Sequence, residues 1–410
     1  MEAVSQPVGR ARALHAFRSR DFRLLWGGQT VSLIGNAAFL VAVGWRVVEL
    51  TGSAGSLALV LMAESMAMLT TLLVGGALAD RYPRRALMIL SDVSRCAIVA
   101  ALALTDATGH LSLTLLIVFA VGVGLGDGFF YPAFGGMVPL VVEQPLLASA
   151  NALIGISRNT SFIVGPALAA GLYDNTSPSF VFGLDAGTFL FSAALLLLAR
   201  PRRIEVEPRE GTFREIASGF RYVAGVPWLW VTIGLAAFIL MIAMAPYQSL
   251  LPRLVKQHFG LGVGAYGFLF TVQAIGMLVG TFVFGQWNPR RHRVVITYAS
   301  WGLNDLCVIA MAILPWYDLA LALVAVRGFF IAIGLGIWET VLMELVPESK
   351  LARVVSLDFF GSLGLTPIGY ALTALVSGFF SPSEILVAGF SLSFLLWLSP
   401  LASRRVRTAA

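Results

Sequence analysis

Two acidic side chains stand inside long apolar stretches of this 410-residue chain. Glu64 lies in Leu61-Met-Ala-Glu-Ser-Met-Ala-Met68 with no basic residue one helical turn away, and Asp127 lies between two glycines. A charge at the centre of a bilayer costs roughly 2.5–3.5 kcal/mol on insertion scales, so such residues are functional candidates. We expect Glu64 or Asp127 to bind and release a proton or to hold a cationic group. A structural hydrogen bond to a neighbouring helix is the alternative.

Basic and acidic residues in other apolar stretches are candidate charge partners or substrate ligands. Arg158 is expected to neutralise Asp127 or to hold an anionic substrate group. Arg327 and Glu339 are twelve residues apart, about 18 Å along a helix, and therefore act at different depths.

A further pair of charges is better explained as structural. Asp92 and Arg95 are three residues apart on one predicted helix, a spacing at which they neutralise each other. Asp305 has no predicted role.

Enzymatic chemistry has no support in the residue types or their spacing. The four histidines lie in loops or near helix ends, without a nucleophile partner or metal-ligand spacing. Neither lysine, Lys256 or Lys350, follows a phosphate-binding glycine loop. Cys96 and Cys307 fall in apolar runs and are expected to pack there. We predict no enzyme activity, no cofactor and no metal.

The elements that carry these residues are predicted to be membrane-spanning helices. Hydrophobic residues make up 58% of the chain and charged residues 12%, about half the charged share of a soluble domain. Runs near or above the roughly 20 residues that cross a bilayer occur at 22–48, 56–79, 86–105, 112–140, 147–172, 179–199, 227–251, 263–286, 294–315, 319–345, 353–380 and 384–401. Barrel strands would alternate over about ten residues, so helices are favoured.

The basic residues are placed as membrane topology requires. Most of the 28 lysines and arginines fall in loops that share one side of the membrane. The positive-inside rule then predicts a multi-pass protein of the bacterial inner membrane with both termini in the cytoplasm. Because topology accounts for the basicity, a nucleic-acid partner is not predicted.

Two halves of similar sequence are joined by one long polar segment. Pro83-Arg84-Arg85 recurs as Pro289-Arg290-Arg291, and Gly126, Gly128, Val138 and Pro139 align with Gly334, Gly336, Val346 and Pro347. Such ordered matches indicate duplication. The predicted domains are a cytoplasmic segment at 1–21, a six-helix bundle at 22–199, a cytoplasmic loop with an amphipathic helix at 200–226, a second six-helix bundle at 227–401 and a tail at 402–410.

One loop motif carries a family resemblance. Gly76-Ala-Leu-Ala-Asp80-Arg81-Tyr-Pro83-Arg84-Arg85 resembles the major facilitator signature between helices 2 and 3, with Pro83 in place of the usual glycine. The resemblance implies an all-α membrane fold of twelve transmembrane helices in two pseudo-symmetric six-helix bundles, with substrate bound near the midplane.

The same resemblance assigns this motif to a cytoplasmic gate. Asp80 would sit at a helix N-terminus, while Arg81, Arg84 and Arg85 would pair with carboxylates on neighbouring helix ends. Glu143 is a possible partner, inferred from topology. Asp358, with Glu339, would form a similar gate in the second half. The alternative is that the arginines only set membrane orientation.

Other stretches resemble the branch of siderophore, macrolide and tetracycline exporters, namely Ser32-Leu-Ile-Gly-Asn36, Glu49-Leu-Thr-Gly-Ser53 and Arg353-Val-Val-Ser-Leu-Asp-Phe-Phe-Gly-Ser362. Many members of that branch carry aspartate where this chain has Asn36, so an important carboxylate has a different position here. Gly165 and Pro166 resemble part of the helix 5 motif of facilitator antiporters, with simple close packing as the alternative.

The expected function is export of a small amphipathic molecule, a drug, siderophore or secondary metabolite, by proton antiport with alternating access. The expected partners are this small-molecule substrate, protons and the lipid bilayer, and the chain is expected to act as a monomer. Uptake or uniport of a metabolite by the same fold is one alternative. A membrane scaffold or sensor without transport is another.

Overall fold

A computed structural model describes residues 14–202, 220–287, 289 and 291–402. The secondary structure in these residues is helical, and we number the long helices α1 to α12. The first six are α1 Arg20–Thr51, α2 Ala54–Arg81, α3 Arg84–Ala107, α4 Leu113–Val141, α5 Leu147–Tyr173 and α6 Pro178–Leu198. Short 3₁₀ turns occupy Leu14–Arg18, Gln144–Leu146 and Ser399–Ala402.

Two helices of the second half are interrupted. α7 consists of Pro227–Ile239, a π-helical turn at Leu240–Met244 and Ala245–His258. α11 consists of Glu348–Leu363 and Thr366–Val376. The remaining helices are α8 Val263–Trp287, α9 Arg293–Ile313, α10 Tyr317–Leu345 and α12 Pro382–Leu398.

The length and composition of these helices confirm an all-α membrane fold. Ten helices of the described chain are long and apolar enough to cross a membrane. α12 is apolar but has 17 residues, and α5 has 27 residues with a more polar sequence. The backbone of such helices pairs its polar groups internally, which hydrocarbon demands.

Helix starts and turns follow local chemistry. The hydroxyls of Ser112 and Ser177 accept hydrogen bonds from the first turns of α4 and α6. Ser381 and Glu384 form a capping box that begins α12. Gly52 and Gly109 take positive φ angles of 62° and 72°, where a side chain would be strained, and so allow short connections after α1 and α3.

The chain divides into two compact units. Unit 1 comprises Met1–Ala42 and Met66–Glu207, and unit 2 comprises Val43–Ser65 and Pro208–Ala410. The outer part of the α1–α2 hairpin, residues 43–65, thus groups with the second half of the chain. The predicted bundle boundaries at 22–199 and 227–401 do not include this exchange and stay a prediction.

In unit 1, α3 packs mainly against α4 and α6. Small residues bring other helices together: a Cβ on Gly165 of α5 would lie 2.5 Å from the Cβ of Ala37 on α1. A hydrophobic core that includes Phe22, Met88 and Met137 lies where α1 and α3 begin and α4 ends. These contacts fix the centre of the unit around α3.

In unit 2, α8 packs on α10, and α9 packs on α10 and α12. Trp301, Trp397 and Tyr298 form an aromatic cluster, with the Trp301 and Trp397 ring centroids 4.5 Å apart. The hairpin segment 43–65 is held by Trp45, which stacks on Tyr266 at 6.1 Å.

The predicted amphipathic helix of the central loop at 200–226 lies largely outside the described residues. The described end of that segment, 220–224, is helical.

Candidate functional site

The centre of unit 1 holds a buried ionic network. Arg95 on α3 is 3% exposed and donates hydrogen bonds to Asp92 at 2.5 Å and to Asp127 on α4 at 2.7 Å. Asp92 is fully buried and the Asp127 side chain is 14% exposed. The expected contact of Asp92 with Arg95 is present. The cation that contacts Asp127 is Arg95, however, and not Arg158.

Aromatic rings and a glycine hold the guanidinium of Arg95 in place. The rings of Phe130 and Phe189 lie 4.3 and 4.4 Å from it, measured from ring centroid to guanidinium carbon. These distances are favourable for cation–π attraction. A Cβ on Gly126 would lie 2.7 Å from the Arg95 side chain, so the residue before Asp127 must be small.

The network continues from α3 to α6 and α1 through neutral side chains. The hydroxyl of Ser192 donates to the second oxygen of Asp92 at 2.7 Å, and Gln29 donates to Ser192 at 2.9 Å. Both residues are buried. Because each donor is satisfied by the next acceptor, the three helices are coupled by one chain of hydrogen bonds.

A third buried carboxyl, Asp185 on α6, lies against α1. It is 1% exposed, and its Oδ1 accepts a hydrogen bond of 3.3 Å from Thr188. Its Oδ2 has no hydrogen-bond partner in the described part of the chain. A Cβ on Gly35 would lie 2.5 Å from Asp185 Oδ1, so the carboxyl faces the glycine that precedes Asn36.

Unit 2 repeats part of this arrangement. Asp305 on α9 is 1% exposed and accepts hydrogen bonds from Ser393 on α12 and from Asn304, the latter at 2.8 Å. Asp92 and Ser192 make a similar contact between the third and sixth helices of unit 1. Each unit therefore joins these two helices by an aspartate and a serine.

Arg327 on α10 lies buried among neutral groups. It is 1% exposed and donates to the amide oxygen of Gln273 and, at 3.6 Å, to the sulfur of Met244. Its guanidinium carbon lies 4.3 Å from the Tyr247 ring centroid. The Nε has no partner in the described chain. Arg327 thus meets the π-helical turn of α7, an irregularity frequent at functional sites.

The other predicted membrane residues do not join the network of unit 1. Glu64 is half-buried in unit 2 and acts electrostatically on Tyr370, whose hydroxyl donates to Gln248. Arg158 is exposed, without an ion pair among the described residues. Asn36 is half-buried on α1, and Glu339 is exposed on α10.

The arginines of the loop motif bind helix ends rather than carboxylates. Arg84 donates to the carbonyl of Gly136 on α4 at 2.5 Å, and Arg85 donates to those of Leu196 and Leu197 on α6 at 2.7 and 2.5 Å. Leu196 and Leu197 lie in the last turn of α6, where carbonyls carry partial negative charge, which explains why they bind the Arg85 cation. The predicted carboxylate partners were wrong for these two residues.

The other gate candidates are exposed or half-buried where the structure describes their side chains. Arg81 is exposed, and Gly76 is half-buried with open space beside it. The side chain of Asp80 lies outside the described part of the structure. Glu143 is exposed after α4, and no described arginine lies within ion-pair distance of it.

In unit 2, Asp358 on α11 accepts a hydrogen bond of 3.0 Å from the indole of Trp338 on α10. Arg293 at the start of α9 pairs with Glu344 near the end of α10. The helix 5 residues Gly165 and Pro166 are buried in unit 1 against α1.

Comparison with known families decides the class of protein. The model of the Major Facilitator Superfamily matches residues 25–369, with a further match over 233–408. The chain belongs to the Major Facilitator Superfamily. It is therefore a membrane transporter and not an enzyme, as the loop motif predicted.

Bacterial exporters are among the relatives of this facilitator. Macrolide efflux protein A of Streptococcus pyogenes is 25% identical over 363 residues, covering 86% of this chain and 88% of the relative. Enterobactin exporter EntS of Salmonella typhimurium (strain LT2) is 26% identical over 392 residues, with 92% of each chain covered. The resemblance to the drug and siderophore exporter branch is confirmed.

Solved facilitator structures share the fold. A bacterial homolog of the human lysosomal transporter Spinster matches with a TM-score of 0.73 at 15% identity, covering 97% of each chain. A bacterial homologue of the iron transporter ferroportin also matches with a TM-score of 0.73 at 15% identity, covering 93% of this chain and 98% of that chain.

In this facilitator, sequence reasoning missed Asp185 and the central position of Arg95. Asp185 lies in the apolar stretch of α6, so the rule that selected Glu64 and Asp127 also applies to it. The role of Arg95 was hidden by Asp92, which offers a complete local pairing three residues away. Its second partner is 32 residues distant and becomes visible only when α3 and α4 pack.

Proposed function

We propose that this transporter exports a small amphipathic molecule in exchange for protons, by alternating access. The observation that supports this most strongly is the imbalance of charge in unit 1. Asp92, Asp127 and Asp185 are three carboxyls within the membrane part of the unit, and one guanidinium, that of Arg95, contacts two of them.

Proton exchange follows from the cost of burying charge. Arg95 with Asp92 and Asp127 both ionised already carries one net negative charge, and an ionised Asp185 would add another without a cation in contact. An unpaired buried charge is strongly unfavourable, so the neutral form of a carboxyl is the stable one until its surroundings change. A change that lets water or a cation reach Asp127 or Asp185 would release a proton.

Asp185 also suits the departure noted at Asn36. The Asn36 side chain is neutral where many members of the resembled exporter branch carry aspartate, and the carboxyl of Asp185 lies against the neighbouring Gly35. We propose that Asp185 supplies from α6 the negative charge that α1 lacks.

Export is the direction favoured by the relatives. Two of them are named as a macrolide efflux protein and an enterobactin exporter. We propose that the substrate is of that general kind.

The other polar residues receive subordinate roles in this proposal. Glu64 acts with Tyr370 in unit 2, and Arg327 holds the π-helical turn of α7. Arg158, exposed on α5, and Glu339, exposed on α10, are candidates to contact substrate. Arg81, at the end of α2, and Asp358, within α11, are candidate members of a cytoplasmic gate whose contacts change during transport.

The test is substrate-driven proton movement in liposomes. Purified protein is reconstituted with a pH-sensitive dye and an imposed pH gradient, and macrolides and catecholate siderophores are added in turn. We expect one class to dissipate the gradient with native protein, and Asp185→Asn and Asp127→Asn to abolish the effect while substrate still binds. Asp174→Asn, at the exposed end of α5, is the matched control.

Two outcomes would contradict the proposal. Substrate transport without proton movement would replace antiport by uniport or by another coupling ion. Unchanged proton movement in both variants would exclude the unit 1 network and leave Glu64, tested as Glu64→Gln, as the coupling residue.

A further inference from the structure

Unit 2 contains an open groove that the transport proposal does not use. It has a volume of about 480 Å³ and lies between α7, α11 and α12. Its lining is mostly apolar and includes Met241, Pro246, Leu372, Val376, Ile385 and Ala388. The volume falls within the range of pockets that hold small ligands.

The base of the groove is formed where α11 and α12 pack closely against the π-helical turn of α7. A Cβ on Gly369 of α11 would collide with the Met241 carbonyl oxygen, and a Cβ on Gly389 of α12 would collide with that of Ile242. Both carbonyls belong to the π-helical turn of α7. The two glycines therefore let α11 and α12 rest on this turn, and the groove extends from there towards the end of α11 and the start of α12.

The surroundings of the groove are those of a surface covered by lipid. Leu372 and Phe380 line it and are 44% and 56% exposed, and the adjacent Leu375 and Phe379 are 68% and 86% exposed. Large apolar side chains exposed together at the end of α11 and in the connection that follows it form a surface that acyl chains contact. The groove is thus accessible from the hydrocarbon.

One charged residue stands at the polar end of the lining. Glu384, in the first turn of α12, is exposed, and its Oε2 accepts hydrogen bonds from the backbone amide and the hydroxyl of Ser381 at 2.7 and 2.8 Å. These donors and the positive end of the helix keep the carboxylate ionised. Of the described residues that line the groove, Glu384 alone is ionisable, and its Oε1 remains available for a ligand.

We propose that this groove binds one acyl chain of a membrane phospholipid whose headgroup ends in a primary ammonium, with the ammonium on Glu384. The arrangement of the site matches such a lipid. The Glu384 carboxylate lies at the start of α12, where the headgroup would be, and the apolar lining lies further into the membrane, where the acyl chain would be. The segment from Gly369 to Val376 is about 10 Å long, a large part of one leaflet of roughly 15 Å. The carboxylate selects the ammonium by charge.

The experiment measures lipid retention by full-length protein. Protein depleted of lipid in detergent is titrated with phosphatidylethanolamine, phosphatidylcholine or phosphatidylglycerol of identical acyl chains, and bound lipid is counted by native mass spectrometry. We expect phosphatidylethanolamine to bind roughly two- to fivefold more tightly than phosphatidylglycerol, the range that an exposed ion pair provides. The quaternary ammonium of phosphatidylcholine cannot donate a hydrogen bond, so its affinity should be intermediate.

Two variants separate the charge of Glu384 from its structural role. Glu384→Gln keeps the capping box, since glutamine serves at that position, but removes the charge and should abolish the preference for phosphatidylethanolamine. Ser381→Ala removes the cap and keeps the charge, so the preference should remain. Both variants are first checked for native thermal unfolding.

A third pair of variants tests the groove itself. Ala388→Phe fills it and should remove the tightly bound lipid, whereas Leu395→Phe, an exposed position two turns further along α12, should not. Equal affinity for the three lipids, or a preference that survives in Glu384→Gln, would overturn the proposal. Binding of a single-chain alkylammonium but of no phospholipid would also overturn it, because the occupant would then be a soluble cationic amphiphile.

Discussion

At the scale of single residues, the charged groups of the unit 1 network are in direct contact. The effect of substituting one of them therefore depends on which of the others are present. Arg95 pairs with both Asp92 and Asp127 and lies between Phe130 and Phe189. Loss of the cation leaves two buried carboxyls without a counter-ion, whereas loss of one carboxylate leaves a neutral ion pair. The effects of substitution are therefore expected to be strongly non-additive.

Arg95→Gln is expected to destabilise the protein by about 3–5 kcal/mol, the usual result of breaking a buried ion pair from one side. Asp127→Asn should cost less, because Asp92 still neutralises Arg95. The double variant Arg95→Gln/Asp127→Asn should recover part of the loss, since one of the unpaired carboxylates is gone. Unfolding free energies in mixed detergent micelles give the coupling energy, and strict additivity would show that Arg95 and Asp127 do not interact.

A glycine beside the network provides a second residue-scale prediction. Gly126→Ala would place a Cβ 2.7 Å from the Arg95 side chain, so we expect lower stability and impaired transport. Gly135→Ala on the same helix meets nothing within 4 Å and should be neutral or stabilising by up to about 1 kcal/mol, because alanine favours helix. Thermal melting of the two variants compares them directly, and equal melting temperatures would contradict the close contact.

At the scale of elements, the loop motif positions three helices of unit 1. Arg84 and Arg85 begin α3 and hold the ends of α4 and α6 through carbonyl oxygens. This is a structural task, distinct from the gating role that we propose for Arg81. The two tasks make different predictions for neighbouring arginines.

Arg85→Gln is expected to lower stability by about 1.5–3 kcal/mol, the range for a hydrogen bond to a charged group, because α6 loses the partner of two terminal carbonyls. Arg81→Gln should leave stability unchanged, since its side chain is exposed, and should reduce transport if it acts in the gate. Melting temperature and transport rate are measured for both. A loss of stability in Arg81→Gln would contradict the assignment of a structural role to Arg85 and a gating role to Arg81.

The sequence predicted the helices and the local Asp92–Arg95 contact, but not which charged residues on different helices contact each other. The reasons are physical. A membrane helix can be recognised from about 20 consecutive apolar residues, a local signal that requires no knowledge of the tertiary structure. The boundary at residue 43, where α1 passes from unit 1 to unit 2, and the π-helical turn of α7 leave no such signal, since they depend on packing. Similarly, Asp127 was identified from its own surroundings, but its counter-ion required the position of α3 beside α4.

At the scale of the whole molecule, the distribution of arginines predicts how the chain crosses the bilayer. The motif arginines begin α3, and the loop before α9 is also basic, whereas the opposite connections carry few cations. If the basic loops are cytoplasmic, the α3–α4 and α9–α10 connections face outwards. Because the motif is repeated in both halves, we expect both halves to have the same orientation in the membrane.

Single cysteines test this orientation after Cys96 and Cys307 are replaced by alanine. Cysteines at Thr108 and Pro315 are expected to react with a membrane-impermeant maleimide in intact cells, while one at Glu143 should react only after permeabilisation. All three positions are exposed, so a difference in labelling reports the side of the membrane and not burial. The opposite pattern would invert the predicted topology and would place Glu384 and its groove in the cytoplasmic leaflet. Labelling of Thr108 but not Pro315 would show that the two halves do not share one orientation, against the duplication that Pro83-Arg84-Arg85 and Pro289-Arg290-Arg291 indicate.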